Sequence, residues 1–238
     1  MRIFAISDLH YSGLPPTKPM EIFHPMWENH RANIRQAWLE MITPDDTVLI
    51  GGDTSWAMKW DDVKEDLDEL VSLPGRKILI RGNHDYWWQT QARMTKVYGE
   101  SLTFLQANAL LLSNGTGIAG TRGWKVPNDP YFTEEDQPIL ERELERLKRA
   151  LEALTELPAN RRILLIHYPP VFSENQPSPL SELIAKYPVD LCIYGHLHGE
   201  NVAALAPKKT PEGLPCILTS CDALNFKPLQ IIPRVEAE

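Results

Sequence analysis

Residues 1–10 read MRIFAISDLH, an apolar run that stops at an aspartate and a histidine. A short run rich in Ile and Phe, cut off by polar residues, reads as a buried strand over Arg2–Ser7. The pattern recurs. Thr47–Ile50 leads into Gly51-Gly52-Asp53, and Lys77–Ile80 into Gly82-Asn83-His84-Asp85. Arg162–Ile166 leads into His167, and Asp190–Tyr194 into Gly195-His196-Leu197-His198. Five of the seven histidines fall in these blocks.

Between the runs lie segments of helical period. After Trp60, residues Val63, Leu67, Leu70 and Val71 recur at the spacing of one helix face. From Thr133, a stripe of Ile139, Leu144, Leu147, Leu151 and Leu154 predicts a long helix. Thr133 and Asp136 resemble a capped start, and Pro158 lies just past the end. The charges of this helix alternate in sign, so they read as a solvated face. Ile34, Trp38 and Met41 mark a shorter helix. Leu102 to Gly120 predicts two or three short strands with a turn at Asn114-Gly115. Cys216–Ser220 and Leu229–Ile232 are expected to close the chain as antiparallel strands. Strands alternating with helices indicate an α/β architecture. With no internal repeat and no Gly/Ser linker, a single domain over residues 1–238 is expected. The Pro-rich stretch at about 12–26, with Pro15, Pro16, Pro19 and Pro25, reads either as a lid or substrate wall or as an extended surface connection.

The blocks matter because of where they fall. Open α/β sheets place their ligand sites at the C-terminal ends of strands. One Asp-x-His after a strand is usually a turn, but five blocks of imidazole, carboxylate and amide groups at successive strand ends are not explained by packing, because burying such groups unpaired is costly. Nitrogen and oxygen donors without thiolate suit Mn, Fe, Zn or Co better than a Cys-built structural zinc site. Calcium prefers oxygen ligands throughout. A set of four histidines, two aspartates and an asparagine exceeds what one tetrahedral ion needs, so two metals are inferred, as in phosphatases and nucleases.

In order, DLH, GGD, GNHD, the histidine of HYPP and GHLH resemble the blocks of the calcineurin-like metallophosphoesterase superfamily, from residue 8 to 198. The resemblance implies a four-layer α/β/β/α sandwich of two mixed sheets flanked by helices. It implies that Asp8, His10 and His198 bind one metal, that Asp53 bridges, and that Asn83, His167 and His196 bind the second. A hydroxide bridging the metals would attack phosphorus, with His84 as general acid and Asp85 bonded to its imidazole. The cofactors implied are two divalent ions, Mn or Fe foremost, with Zn, Co, Ni or Mg as alternatives. The implied substrate is a phosphomonoester or phosphodiester on a small molecule or nucleotide. Two departures stand out. Thr54-Ser55-Trp56 replaces the D-R-G stretch of the Ser/Thr protein phosphatase branch, and Gly120 to Trp124 has no counterpart among the shared blocks. Within that run Arg122 is a candidate phosphate clamp. Trp124, with Trp56, Trp87 and Trp88, is a candidate wall for a base or apolar group, or core packing.

Bulk properties bound the alternatives. The 24 Lys and Arg against 32 Asp and Glu give a formal net charge of −8. That lacks the positive footprint of a nucleic-acid binder, which argues against a nuclease. A scaffold that keeps the fold but not the chemistry is disfavoured, since no ligand block is lost. Three cysteines without a CxxC pair, Cys192, Cys216 and Cys221, read as buried hydrophobes in a reducing cytoplasm. No apolar stretch approaches a membrane span or signal-peptide core. Histidines outside the blocks, His24 and His30, read as ordinary polar residues.

Overall fold

A computed structural model describes residues 1–99, 101–199 and 201–232. Its strands are β1 Ile3–Ile6, β2 Thr47–Ile50, β3 Arg76–Ile80, β4 Leu102–Leu105, β5 Asn108–Leu111, β6 Thr116–Thr121, β7 Arg161–Ile166, β8 Leu191–Tyr194, β9 Cys216–Leu218 and β10 Leu229–Ile232. Its α-helices are α1 His30–Met41, α2 Lys64–Ser72, α3 Gln91–Tyr98, α4 Gln137–Glu156, α5 Pro179–Ile184 and α6 Val202–Leu205. The fold is α/β, with two mixed five-stranded sheets flanked by helices. Two compact units contain them: residues 1–104 with the stretch beginning at Thr219, and residues 105–218.

In the first unit the strand order is β10-β1-β2-β3-β4. The central strands are parallel, with Ile6 opposite Ile50 and Ile50 opposite Leu79. Parallel neighbours end at one edge, so the segments that follow β1, β2 and β3 emerge side by side. One face of this sheet packs on α1, α2 and α3 through Phe4, Ile6, Ile34, Trp38, Leu67 and Met94. Ile3 and Ala5, pointing the other way, are also fully buried. Burial on both faces explains why these strands read as continuous apolar runs rather than alternating ones.

The second unit has the order β5-β6-β7-β8-β9. The predicted turn at Asn114-Gly115 joins β5 to β6 in an antiparallel hairpin, with Gly115 in the left-handed region at φ 80°. Strands β6 to β9 are parallel. Helix α4 covers this sheet with Leu140, Leu147, Leu151 and Leu154. At its start the Thr133 N–H donates to Asp136 Oδ2 at 2.9 Å, the capping contact expected from the sequence. The buried face also carries Glu143. Apolar spacing alone does not flag it, because its charge is compensated by Arg122 and Arg146.

One expectation about the chain's last strands is corrected. Only β10 is antiparallel, pairing with β1, whereas β9 adds in parallel to β8. Strand direction depends on which edge the returning chain reaches, and no local pattern encodes that. All three cysteines are free and buried. Among the described residues, no helix is long and apolar enough to cross a membrane.

Candidate functional site

In the first unit, Asp8 follows β1 and Asp53 follows β2. Asp8, His10 and Asp53 take left-handed backbone at φ 61°, 49° and 50°. Such values are uncommon outside glycine and cluster at functional sites, where the surroundings must enforce them. Here the two strand-end loops clamp each other. The Asp8 N–H donates to the Gly52 carbonyl at 2.9 Å, and the His10 N–H to the Asp53 carbonyl at 3.0 Å. As a result a ligand atom of Asp8 lies within 4.8 Å of one from His10 and of one from Asp53. All three side chains are buried.

The loop after β3 is fitted to the same place. The His84 N–H donates to Asp53 Oδ1 at 2.7 Å, so the carboxylate is held by backbone as well as by its own loop. A Cβ on Gly82 would overlap both the Asp53 carboxylate and the Asp53 nitrogen. Only glycine allows this approach. Asn83 and His84 are half-buried at the top of the loop. Asp85 is buried, and its carboxylate accepts from the N–H groups of Gly82 at 2.7 Å, Thr54 at 2.9 Å and Ser55 at 3.2 Å, and from Trp87 Nε1 at 2.9 Å. It thereby ties the GNHD loop to the loop after β2, a role that the spacing of the residues does not suggest.

Two further features act on these residues. The first is a pair of donors outside the sequence blocks. Ser220 Oγ donates to Asp8 Oδ2 at 2.9 Å, and Cys221 Sγ to the Asp8 carbonyl at 3.0 Å. Burial pushes the Cys221 thiol well above its ordinary pKa, so it stays a neutral donor. Thr219-Ser220 is itself a polar strand end, so the rule that found the other blocks also applies there. The second is Trp56, one of the candidate wall residues. Its ring stacks on His10 at 4.8 Å between centroids and packs on His84 at 4.1 Å. Lys18 Nζ lies 3.1 Å from the Trp56 ring centre, and Phe23 stacks on the same ring at 6.4 Å. Both belong to the Pro-rich segment, whose base is fixed by Gly13 N–H donating to Asp66 Oδ1 at 3.0 Å. Trp87 and Trp88 are core residues.

In the second unit, His167 directly follows β7 and His196 lies two residues past β8. Their rings are 5.2 Å apart at 72°. The Gly195 N–H donates to the His167 carbonyl at 3.0 Å, and His196 has φ 72°. His167 is fully buried, His196 half-buried and His198 exposed. Arg122 Nη2 donates to the buried Glu143 at 2.9 Å, and its guanidinium lies 4.4 Å from the Trp124 ring centre. A phosphate would have to compete with that ion pair. Trp124 Nε1 donates to Asp136 Oδ1 at 2.8 Å. His24 accepts the Met26 N–H at 3.2 Å, and buried His30, with Nδ1 3.1 Å from the Trp27 carbonyl, has its pKa lowered by burial. Both are structural.

The donors in each unit fit divalent cations: buried carboxylates, an imidazole and an amide in the first, imidazoles in the second. Four of the donor residues are held in left-handed backbone.

Comparison with known proteins agrees. No curated protein matches the sequence. Among solved structures, the protein of unknown function AQ665 from Aquifex aeolicus is 20% identical with a TM-score of 0.53, over 96% of this chain and 95% of that one. TT1561 of Thermus thermophilus is 15% identical with a TM-score of 0.53, over 98% of this chain and 99% of that one. At these identities the likeness establishes the fold. The family model described as calcineurin-like phosphoesterase matches residues 1–200, spanning every block from Asp8 to His198. Ordered blocks, strand-end geometry and family match coincide, and the chain belongs to the calcineurin-like phosphoesterase family.

Proposed function

We propose that the protein hydrolyses a phosphomonoester or phosphodiester of a small molecule or nucleotide, with two divalent metal ions as cofactors. The observation that carries this reading is the cluster around Asp8: Asp8, His10 and Asp53 are buried and in left-handed backbone, and a ligand atom of Asp8 lies within 4.8 Å of one from His10 and of one from Asp53. In this reading Asp8, His10 and His198 hold one ion, Asp53 is shared, and Asn83, His167 and His196 hold the other. When bound, such ions neutralise phosphoryl charge and make water nucleophilic near neutral pH. The imidazole, carboxylate and amide donors suit Mn, Fe, Zn or Co, and the family resemblance puts Mn or Fe foremost.

The chain's own contributions are positional and protonic. Ser220 and the His84 N–H orient the two carboxylates. The His84 imidazole donates its proton to the departing oxygen as the ester bond breaks. Trp56, packed on that ring, limits its rotation. Asp85 acts on His84 through the loop it braces.

His84→Ala tests the assignment. Turnover of aryl phosphates with Mn²⁺ should fall by about 10²–10⁴-fold, with metal content unchanged. Full activity of the variant on every substrate of the parent would remove His84 from the chemistry. A panel of aryl monoesters, aryl diesters and nucleotides resolves the ester class.

A further inference from the structure

A cavity of about 380 Å³ lies within the second unit, and His196 forms part of its wall. Most of the remaining wall is apolar, including Trp124, Tyr168, Val171, Phe172 and Leu205. Tyr168 packs against the His196 ring at 4.0 Å between centroids, so the cavity begins where that imidazole ends. Trp124 extends the same surface, 5.0 Å from Tyr168.

Three polar groups at the cavity, those of Trp124, Lys125 and Asp129, are already engaged. Trp124 Nε1 donates to Asp136 Oδ1. Lys125 Nζ pairs with Asp136 Oδ2 at 2.8 Å and donates to the Tyr131 carbonyl at 3.0 Å. Asp129 Oδ1 accepts the Tyr131 N–H at 2.8 Å. A nucleobase buried here would bring amide and carbonyl groups that lose water and find these partners occupied, which is unfavourable. A hydrocarbon incurs no such cost and gains from every apolar contact. The exposed part of the lining is also apolar: Tyr131 is 80% exposed, Leu205 82% and Phe172 50%. Clustered apolar exposure of this kind marks a binding surface.

We propose that this cavity is the subsite for an apolar hydrocarbon group of the phosphoester substrate, with room for about a dozen water-sized groups. The inference rests on the hydrolase reading only for the position of the phosphate beside His196. It separates alkyl and aryl phosphoesters from nucleotides as the preferred class.

The test is calorimetric binding of the non-hydrolysable ethyl, butyl, hexyl and octyl phosphonates, and of the phosphonate analogue of adenosine monophosphate, to the Mn²⁺-loaded protein. Affinity should rise about threefold to fourfold per added methylene, and the octyl compound should bind more tightly than the nucleotide analogue. Phe172→Asp and Leu205→Asp, both at exposed positions, should flatten the dependence on chain length, with folding checked by circular dichroism. Equal affinity along the series, tighter binding of the nucleotide analogue, or an unchanged slope in both variants would overturn the proposal. Binding is read without turnover, so the two readings fail separately. A chain-length slope with no hydrolysis of any ester removes the hydrolase and keeps the subsite. Hydrolysis with flat affinities does the reverse.

Discussion

In the first unit, Asp8, His10 and Asp53 are buried, set in left-handed backbone and braced by Ser220, His84 and the facing loop. In the second, His196 is half-buried, His198 is exposed, and an apolar cavity opens beside His196. Both sets of ligand blocks begin at the ends of parallel strands, yet they are stabilised differently. Buried carboxylates are costly without partners, so their loops are fixed from several directions. A polar imidazole costs less to bury than a charged carboxylate, which leaves the neighbourhood of His196 free to be shaped around an organic group. In the proposed reading, the carboxylate side is the tightly braced part of the site and the imidazole side is where substrate preference is set.

Breaking the carboxylate side should produce the largest effect. Gly82→Ala drives a methyl group into Asp53, and the clash is not relieved by a side-chain rotation because the Asp53 backbone nitrogen is also in the way. We expect a loss of about 3 kcal/mol in denaturant unfolding, together with loss of bound metal. A variant with parental stability and metal content would show that the clamp is softer than the contacts imply.

A smaller effect isolates one brace. Ser220→Ala removes only the hydroxyl that donates to Asp8. Metal affinity should fall about 10–100-fold, the usual result of losing a group that orients a ligand, while the unfolding midpoint moves little. If stability falls and affinity does not, Ser220 serves the sheet rather than the site.

The smallest effect belongs to the second unit. Burial works against ionisation of Asp136, but Lys125, the Thr133 N–H and hydroxyl, and Trp124 outweigh it and hold its pKa down at about 2. Because the folded value lies below the ordinary one of 3.8, the carboxylate stabilises the fold fully above that value. This contribution fades as the pH falls from about 4 towards 2. Asp136→Asn should cost about 1 kcal/mol at neutral pH and flatten the stability curve across that acid window. Unchanged acid sensitivity would assign the window to other carboxylates.

Much of this was legible in the residues themselves. Apolar runs located β1, β2, β3, β7 and β8, and the turn at Gly115 emerged because only a few residue types take left-handed backbone. The capping pair Thr133 and Asp136 was visible because capping spans three residues. Helices α3 and α5 were not anticipated. They are short, and α5 is only six residues long, too few for a periodic pattern to stand out. Glu143 was missed because its position on the apolar face makes sense only once Arg122, on another element, is beside it.

By itself the sequence determined which donor types end each strand and in what order, because strand period, turn residues and ligand chemistry are all written within a few positions. Tertiary structure alone decided that Ser220 would reach Asp8 across 212 residues, that Asp85 would brace the loop after β2, and that residues from Trp124 to Pro207 would enclose one apolar cavity beside His196. Those outcomes depend on sheet order and on the parallel addition of β9, which follow from packing over the whole chain rather than from any local pattern.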